Sequence, residues 1–206
     1  MEAGDRIERH FGFAPIPGSH PPLPTCLFGL LQLDGIYMNL ETQRLFMRPI
    51  RAWDAGALHR LQCDPLVVES TMQGIPPTRE MSDARLSIYL HEWETYGIGV
   101  WMIYEREDSG DLRFVGRSGV SRFGNDIQFG CALFGARSGQ KIGPESLKPV
   151  LEFAFATQPV ERLVALIRQT NTRSLRMTTV LGFSRLEPVV FNGTEYQFYE
   201  MRRPPQ

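Results

Sequence analysis

Apolar residues change their spacing several times along this chain, and each change marks an element. Between Thr78 and Tyr96, Leu86, Tyr89, Leu90 and Trp93 recur at helical spacing and Gly97-Ile98-Gly99 ends the run, which predicts a helix over 78–96. An earlier helix is expected from Trp53 to Leu61 with Asp54 in its first turn, after a strand from Gln43 to Ile50 that Pro49 brings to a close. Val100 to Glu105 and Leu112 to Phe123 read as strands around the turn Asp108-Ser109-Gly110-Asp111. Another strand runs from Ile127 to Phe134, and Leu163 to Ile167 is apolar on both faces, as a central strand covered by helices must be. Asn192-Gly193 marks a final hairpin. The resulting order, β-α-α-β-β-β-α-β-α-β-β, is α+β in type.

Residues 1–37 break these rhythms. Pro15, Pro17, Pro21, Pro22 and Pro24 forbid regular structure there, so the chain divides into a Pro-rich extension, expected to be disordered, and one domain over 38–204. At 206 residues it is long enough for one full core and too short for two of ordinary size. A net charge of −1, with no basic stripe, argues against nucleic acid as a partner. Cys26, Cys63 and Cys131 are odd in number and lack metal-ligand spacing, and so read as thiols of a reducing cytosol. The apolar run Cys26 to Leu33 is too short to span a bilayer, and the expectation is a soluble, cytoplasmic protein.

Chemistry is suggested where the strand ending at Phe134 gives way to Ser138-Gly139-Gln140-Lys141-Ile142-Gly143, with Pro144 expected to open a helix. A helix start of this kind turns unpaired backbone N–H groups toward an anion. Further on, Asn171 precedes a second helix that holds Ser174 in its first turn and ends at Leu181-Gly182-Phe183, where Gly182 reads as a left-handed cap.

Three blocks in one order carry a resemblance. They are Thr42 to Pro49 with Asp54-Ala55 and Asp64-Pro65, the Gly130 strand with the Gly139-to-Gly143 turn, and Asn171-x-x-Ser174 through Leu181-Gly182-Phe183. Over about Leu40 to Met201 the chain resembles the GNAT N-acetyltransferase superfamily, in the branch that includes the ribosomal-protein N-terminal acetyltransferases. The resemblance implies a central mixed, mostly antiparallel sheet flanked by helices, acetyl-CoA as co-substrate and no metal. It implies an acceptor bearing a primary amine, either a protein N-terminus or a small molecule, and admits a homodimer. Gly139, Gln140, Lys141, Ile142 and Gly143 would cradle the pyrophosphate, and the backbone of Cys131 and Leu133 would bind the pantetheine arm. Asn171 would touch CoA or serve only as a helix cap, and Ser174 would protonate the leaving thiolate or be simply a small residue in the first turn.

Departures from the family pattern leave a second reading open. Ser138 and Lys141 stand where relatives carry Arg or Gln and then Gly, Thr178 stands where many carry Tyr, and Gln128 replaces a frequent strand Glu. For the missing base, Glu69, His91, Glu92 and Glu94 are the nearest alternatives, with a water relay as the substitute. A non-catalytic acyl-CoA-binding or regulatory protein is therefore the rival to an acetyltransferase.

Overall fold

Strand register decides where this molecule opens. The computed structural model describes residues 38–72 and 74–204, so the expected extension over 1–37 lies outside the described residues. Chain order begins with β1 (Leu40–Glu41) and β2 (Leu45–Pro49), followed after one 3-10 turn by α1 (Ala55–Gln62), α2 (Pro65–Thr71) and α3 (Arg79–Tyr96). Then come β3 (Val100–Arg106), β4 (Leu112–Phe123), β5 (Asp126–Leu133), α4 (Ile142–Thr157), β6 (Arg162–Ile167), α5 (Thr172–Leu181), β7 (Ser184–Phe191) and β8 (Thr194–Arg202). The strands form one sheet in the order β1-β2-β3-β4-β5-β6-β8-β7, antiparallel at every junction except β5 with β6. The α+β architecture with a mixed, mostly antiparallel sheet is therefore as expected.

That single parallel junction is short. β5 and β6 pair only at Ile127↔Leu163 and Gln128↔Val164. Beyond these, β5 continues along β4 as far as Gly116↔Leu133, and β6 continues along β8 as far as Ile167↔Gln197. The sheet thus splits into a wedge whose inner edges carry ladder positions with no strand opposite them.

Alternation along β4 and β5 sorts the side chains around this wedge. Opposed pairs such as Arg117↔Ala132 and Ser121↔Gln128 share a face, while Cys131 and Leu133 point the other way. Arg117 meets α3, its guanidinium lying 5.2 Å from the Tyr89 ring centre. Cys131 meets α4, since a Cβ on Gly143 would sit 3.8 Å from its sulfur. On that side Leu147, Val150, Leu151 and Ala154 of α4 are buried, each large side chain contributing roughly 1.5–3 kcal/mol of transfer free energy.

Local chemistry explains most boundaries. Gly97 caps α3 at φ 64°, whereas Gly99 serves a different need: a Cβ there would lie 2.5 Å from the Trp93 indole nitrogen. Gly182 takes the expected left-handed cap at φ 84°, with Phe183 buried beside it, and Asn192-Gly193 forms the hairpin turn with both φ positive. Two expectations need correction. Pro144 does not open α4, which starts at Ile142 and places Pro144 third. A separate α2, seven residues long, stands between the two early helices; Asp64 caps it through the Leu66 N–H at 3.0 Å with Pro65 in its first position. Seven residues are too few for a helical period to declare itself.

Candidate active site

Where the wedge meets α4 and α5, a cavity of about 450 Å³ opens, and nearly all the residues expected to hold CoA line it. Cys131 and Leu133 come from β5, Gly139, Lys141, Ile142 and Gly143 from the turn into α4, and Asn171 and Ser174 from the start of α5. Gln140 is the member of that set outside the lining: its side-chain amide donates to the Ala136 carbonyl at 3.1 Å.

The turn reaches its shape through left-handed backbone at two positions. Gly139 has φ 82° and Lys141 φ 62°, the latter carrying a Cβ in a region that costs a non-glycine residue roughly 1–2 kcal/mol. A left-handed residue is thus required at 141, and Lys supplies it without glycine's freedom. Lys141 offers α4 no side-chain cap, so the first N–H groups of the helix remain unbonded by side chains. Gly143 is helical; its lack of a Cβ keeps clear of the Met177 sulfur, which would lie 3.0 Å away. Arg44 holds the turn from behind, donating from Nε to Glu145 at 2.6 Å and from Nη2 to the Gln140 carbonyl at 2.8 Å. Thr42 Oγ1 donates to the same Glu145 carboxylate, which leaves that acid engaged with the turn between β1 and β2 rather than the cavity.

Sequence reasoning missed two cations here. Arg173 and Arg176 line the cavity beside Lys141, and among the described residues no Asp or Glu does. Their positions, two and five residues after the Asn171 cap, place them on one side of α5; the spacing was readable, but only the packing of α5 against α4 aims that side at the turn.

A second cavity, of about 120 Å³, lies across the wedge and shares Ser70, Thr71, Cys131, Asn171, Ser174 and Met177 with the first. Its remaining wall includes Gln62, Arg85, Tyr89, Arg117 and Gln128. Outside it, an open groove of about 790 Å³ runs between Cys63, Pro65, Glu69 and Pro76 on one side and Thr194 on the other. Asp64 braces this wall: besides capping α2, its carboxylate accepts from the Gly135 N–H at 3.1–3.2 Å, tying the helix to the end of β5.

At the shared junction the candidates for chemistry sort themselves. Asn171 accepts from the Ser174 N–H at 3.2 Å, so its capping role is realised while it also lines both cavities. Thr178 is fully buried and donates its hydroxyl to the Leu175 carbonyl. Gln128 donates to Ser121 at 3.3 Å. Among the four alternative bases, Glu69 lies on the outer groove, His91 pairs with Thr95 on the surface, and Glu94 is exposed. Glu92 is buried, accepts from the Arg122 N–H at 3.3 Å and lines neither cavity; burial pushes its carboxyl up to about 8. Burial likewise pushes the Cys131 thiol up to about 11, which keeps it protonated beside the junction.

The site is thus a wedge beside one parallel strand pair, with an uncapped helix start at one mouth and an open groove at the other. Residues 44–184 match the acetyltransferase (GNAT) domain, and the chain belongs to that family. Solved structures agree on the fold. An acetyltransferase from Agrobacterium tumefaciens superposes with a TM-score of 0.69 at 21% identity, covering 83% of this chain and 98% of that one. The ribosomal-protein-S5-alanine acetyltransferase from Vibrio fischeri gives 0.62 at 15% identity, covering 80% and 96%. RimL, the ribosomal L7/L12 alpha-N-protein acetyltransferase in complex with coenzyme A, gives 0.66 at 15% identity, covering 80% and 98%. Among the described residues no helix is long and apolar enough to cross a membrane.

Proposed function

We propose that this chain transfers an acetyl group from acetyl-CoA to a primary amine, borne by a protein N-terminus or by a small molecule. The carrying observation is the 450 Å³ cavity, which combines an uncapped helix start with three cations, Lys141, Arg173 and Arg176, and, among the described residues, no carboxylate. Such a lining suits a polyanion, because unbonded N–H groups and the helix dipole act with the side-chain charges. RimL binding coenzyme A on the same fold supports the choice of ligand.

In this reading the turn from Gly139 to Gly143 holds the pyrophosphate, and Arg173 and Arg176 take further phosphate charge. The β5 edge beyond Gln128 would bind the pantetheine arm as an added strand, at Cys131 and Leu133. Acetyl-CoA supplies the activated acyl group: the amine nitrogen bonds to its carbonyl carbon as the C–S bond breaks. Ser174 Oγ gives its proton to the departing sulfur and is reprotonated from solvent, while the amine releases its proton to water in the open groove. Among the described residues no Asp or Glu lines the junction, and this favours a water relay over a dedicated base.

That same absence keeps the non-catalytic rival alive and makes one experiment decisive. Thiol release from acetyl-CoA should rise on adding a mixed panel of primary amines, and saturating acetyl-CoA should raise the melting temperature. At about 100 times Kd, linkage adds ~2.7 kcal/mol. Stabilisation without thiol release on any amine would select the binding protein; neither effect would refute both.

A further inference from the structure

Polar atoms around the 120 Å³ cavity lack hydrogen-bond partners among the described residues. Arg117 is 5% exposed, yet its Nε and Nη1 find no hydrogen-bond acceptor; Gln62 is 1% exposed, yet neither its Oε1 nor its Nε2 is bonded. Leaving a buried polar group unsatisfied costs roughly 1–3 kcal/mol, and more for a charged one. Both residues line one hollow although they come from α1 and β4, so the atoms are gathered rather than scattered. Arg85 and Arg168 share that lining, and among the described residues no Asp or Glu does.

We propose that this cavity receives a carboxylate carried by the amine acceptor, gripped by the Arg117 guanidinium and the Gln62 amide, with the amine end at the junction beside Ser174. The assignment rests on the acetyl-transfer reading and narrows its substrate to amines that bear a carboxylate. A guanidinium has donors only, so its ligand must accept, and its planar fork matches a carboxylate. A volume of about 120 Å³ equals about four waters at ~30 Å³ each, room for a carboxylate on a short carbon chain and too little for a nucleotide. Arg168 lines both this cavity and the open groove, which gives an entering anion a continuous basic path. The carboxylate could belong to a free amino acid or to an acidic residue behind a peptide N-terminus; the chemistry at Arg117 is the same.

The test uses the full chain and amines matched in shape. γ-Aminobutyrate is set against n-butylamine, β-alanine against β-alaninamide, and the C-terminally amidated peptide Ser-Asp-Ala against amidated Ser-Asn-Ala, each assayed for acetyl transfer. Binding of γ-aminobutyrate, β-alanine and amidated Ser-Asp-Ala is measured by calorimetry in the presence of CoA. The carboxylate member should win by at least tenfold in kcat/KM in the first two pairs or in the peptide pair, and which pairs respond identifies the source. Arg117→Met should erase the preference and the calorimetric signal, Arg117→Lys should retain part of both, and Gln62→Leu should weaken both, in variants whose circular dichroism and melting remain those of a folded protein. Equal kcat/KM within every pair, or a preference that survives Arg117→Met, would overturn the inference and leave acetyl transfer standing. Carboxylates that bind the wild type but not Arg117→Met, with no amine acetylated, would uphold the cavity and refute the transfer. Neither binding nor turnover would overturn the inference too.

Discussion

The two cavities that meet at Ser174 are built in opposite ways. The larger one uses backbone: left-handed residues at 139 and 141, a helix start without a side-chain cap, and a strand edge with no neighbour. The smaller one uses buried side chains, Gln62, Arg85, Tyr89, Arg117 and Gln128, delivered by α1, α3, β4 and β5. Backbone groups bind whatever carries the right charge and tolerate varied side chains, so Ser138 and Lys141 leave the left-handed turn and the uncapped helix start in place. Buried side chains are selective and costly, because every unpaired polar atom waits for its ligand.

Away from both cavities, pH is predicted to act on the buried Glu92 of α3. Glu92 has an ordinary value of 4.5 and is held near 8 when folded, so between about pH 5 and 8 the folded state keeps a proton that the unfolded chain has released. Stability should therefore fall as pH rises through that window, by on the order of 1.4 kcal/mol per pH unit, and level off above it. Denaturant titrations at several pH values should show this slope in the wild type and a flatter profile in Glu92→Gln. Parallel profiles would place the buried proton elsewhere.

Kinetics should separate the junction from the larger cavity. Ser174→Ala is expected to lower kcat by about ten- to a hundredfold with little change in the KM for acetyl-CoA, while Lys141→Ala should raise that KM and leave kcat at saturation nearly intact. Steady-state assays on both variants read the split directly. A wild-type kcat in Ser174→Ala would remove the hydroxyl from the mechanism.

The smallest effect probes the backbone itself. Lys141→Gly relieves a left-handed Cβ and should stabilise the unliganded protein by about 1 kcal/mol in a denaturant titration, even as loss of the ammonium weakens CoA binding. Destabilisation instead would mean that the flexibility added to the unfolded chain outweighs the strain removed.

Legibility in the sequence follows the same division. The Gly139 turn, the Asn171 cap, the Gly182 cap and the Asn192-Gly193 hairpin were readable because each depends on residues adjacent in the chain. The helix start at Ile142 was misplaced to Pro144, since proline is also allowed deeper in a helix's first turn. Arg173 and Arg176 escaped notice because an exposed arginine on a helix ordinarily signals solvent. Gln62 and Arg117 escaped for a deeper reason: nothing near either in sequence marks it as buried.

By itself, then, the sequence determined the α+β order and the local geometry that presents backbone N–H groups to an anion, because these are set by periodicity and by turn chemistry within a few residues, while three blocks in one order carried the resemblance to the family. Tertiary structure alone decided which side of the sheet each strand residue faces, that β5 and β6 part after Gln128, and that residues as distant as Gln62 and Arg117 converge on one hollow. Strand pairing and helix packing fix those relations across dozens of residues, and no local pattern records them.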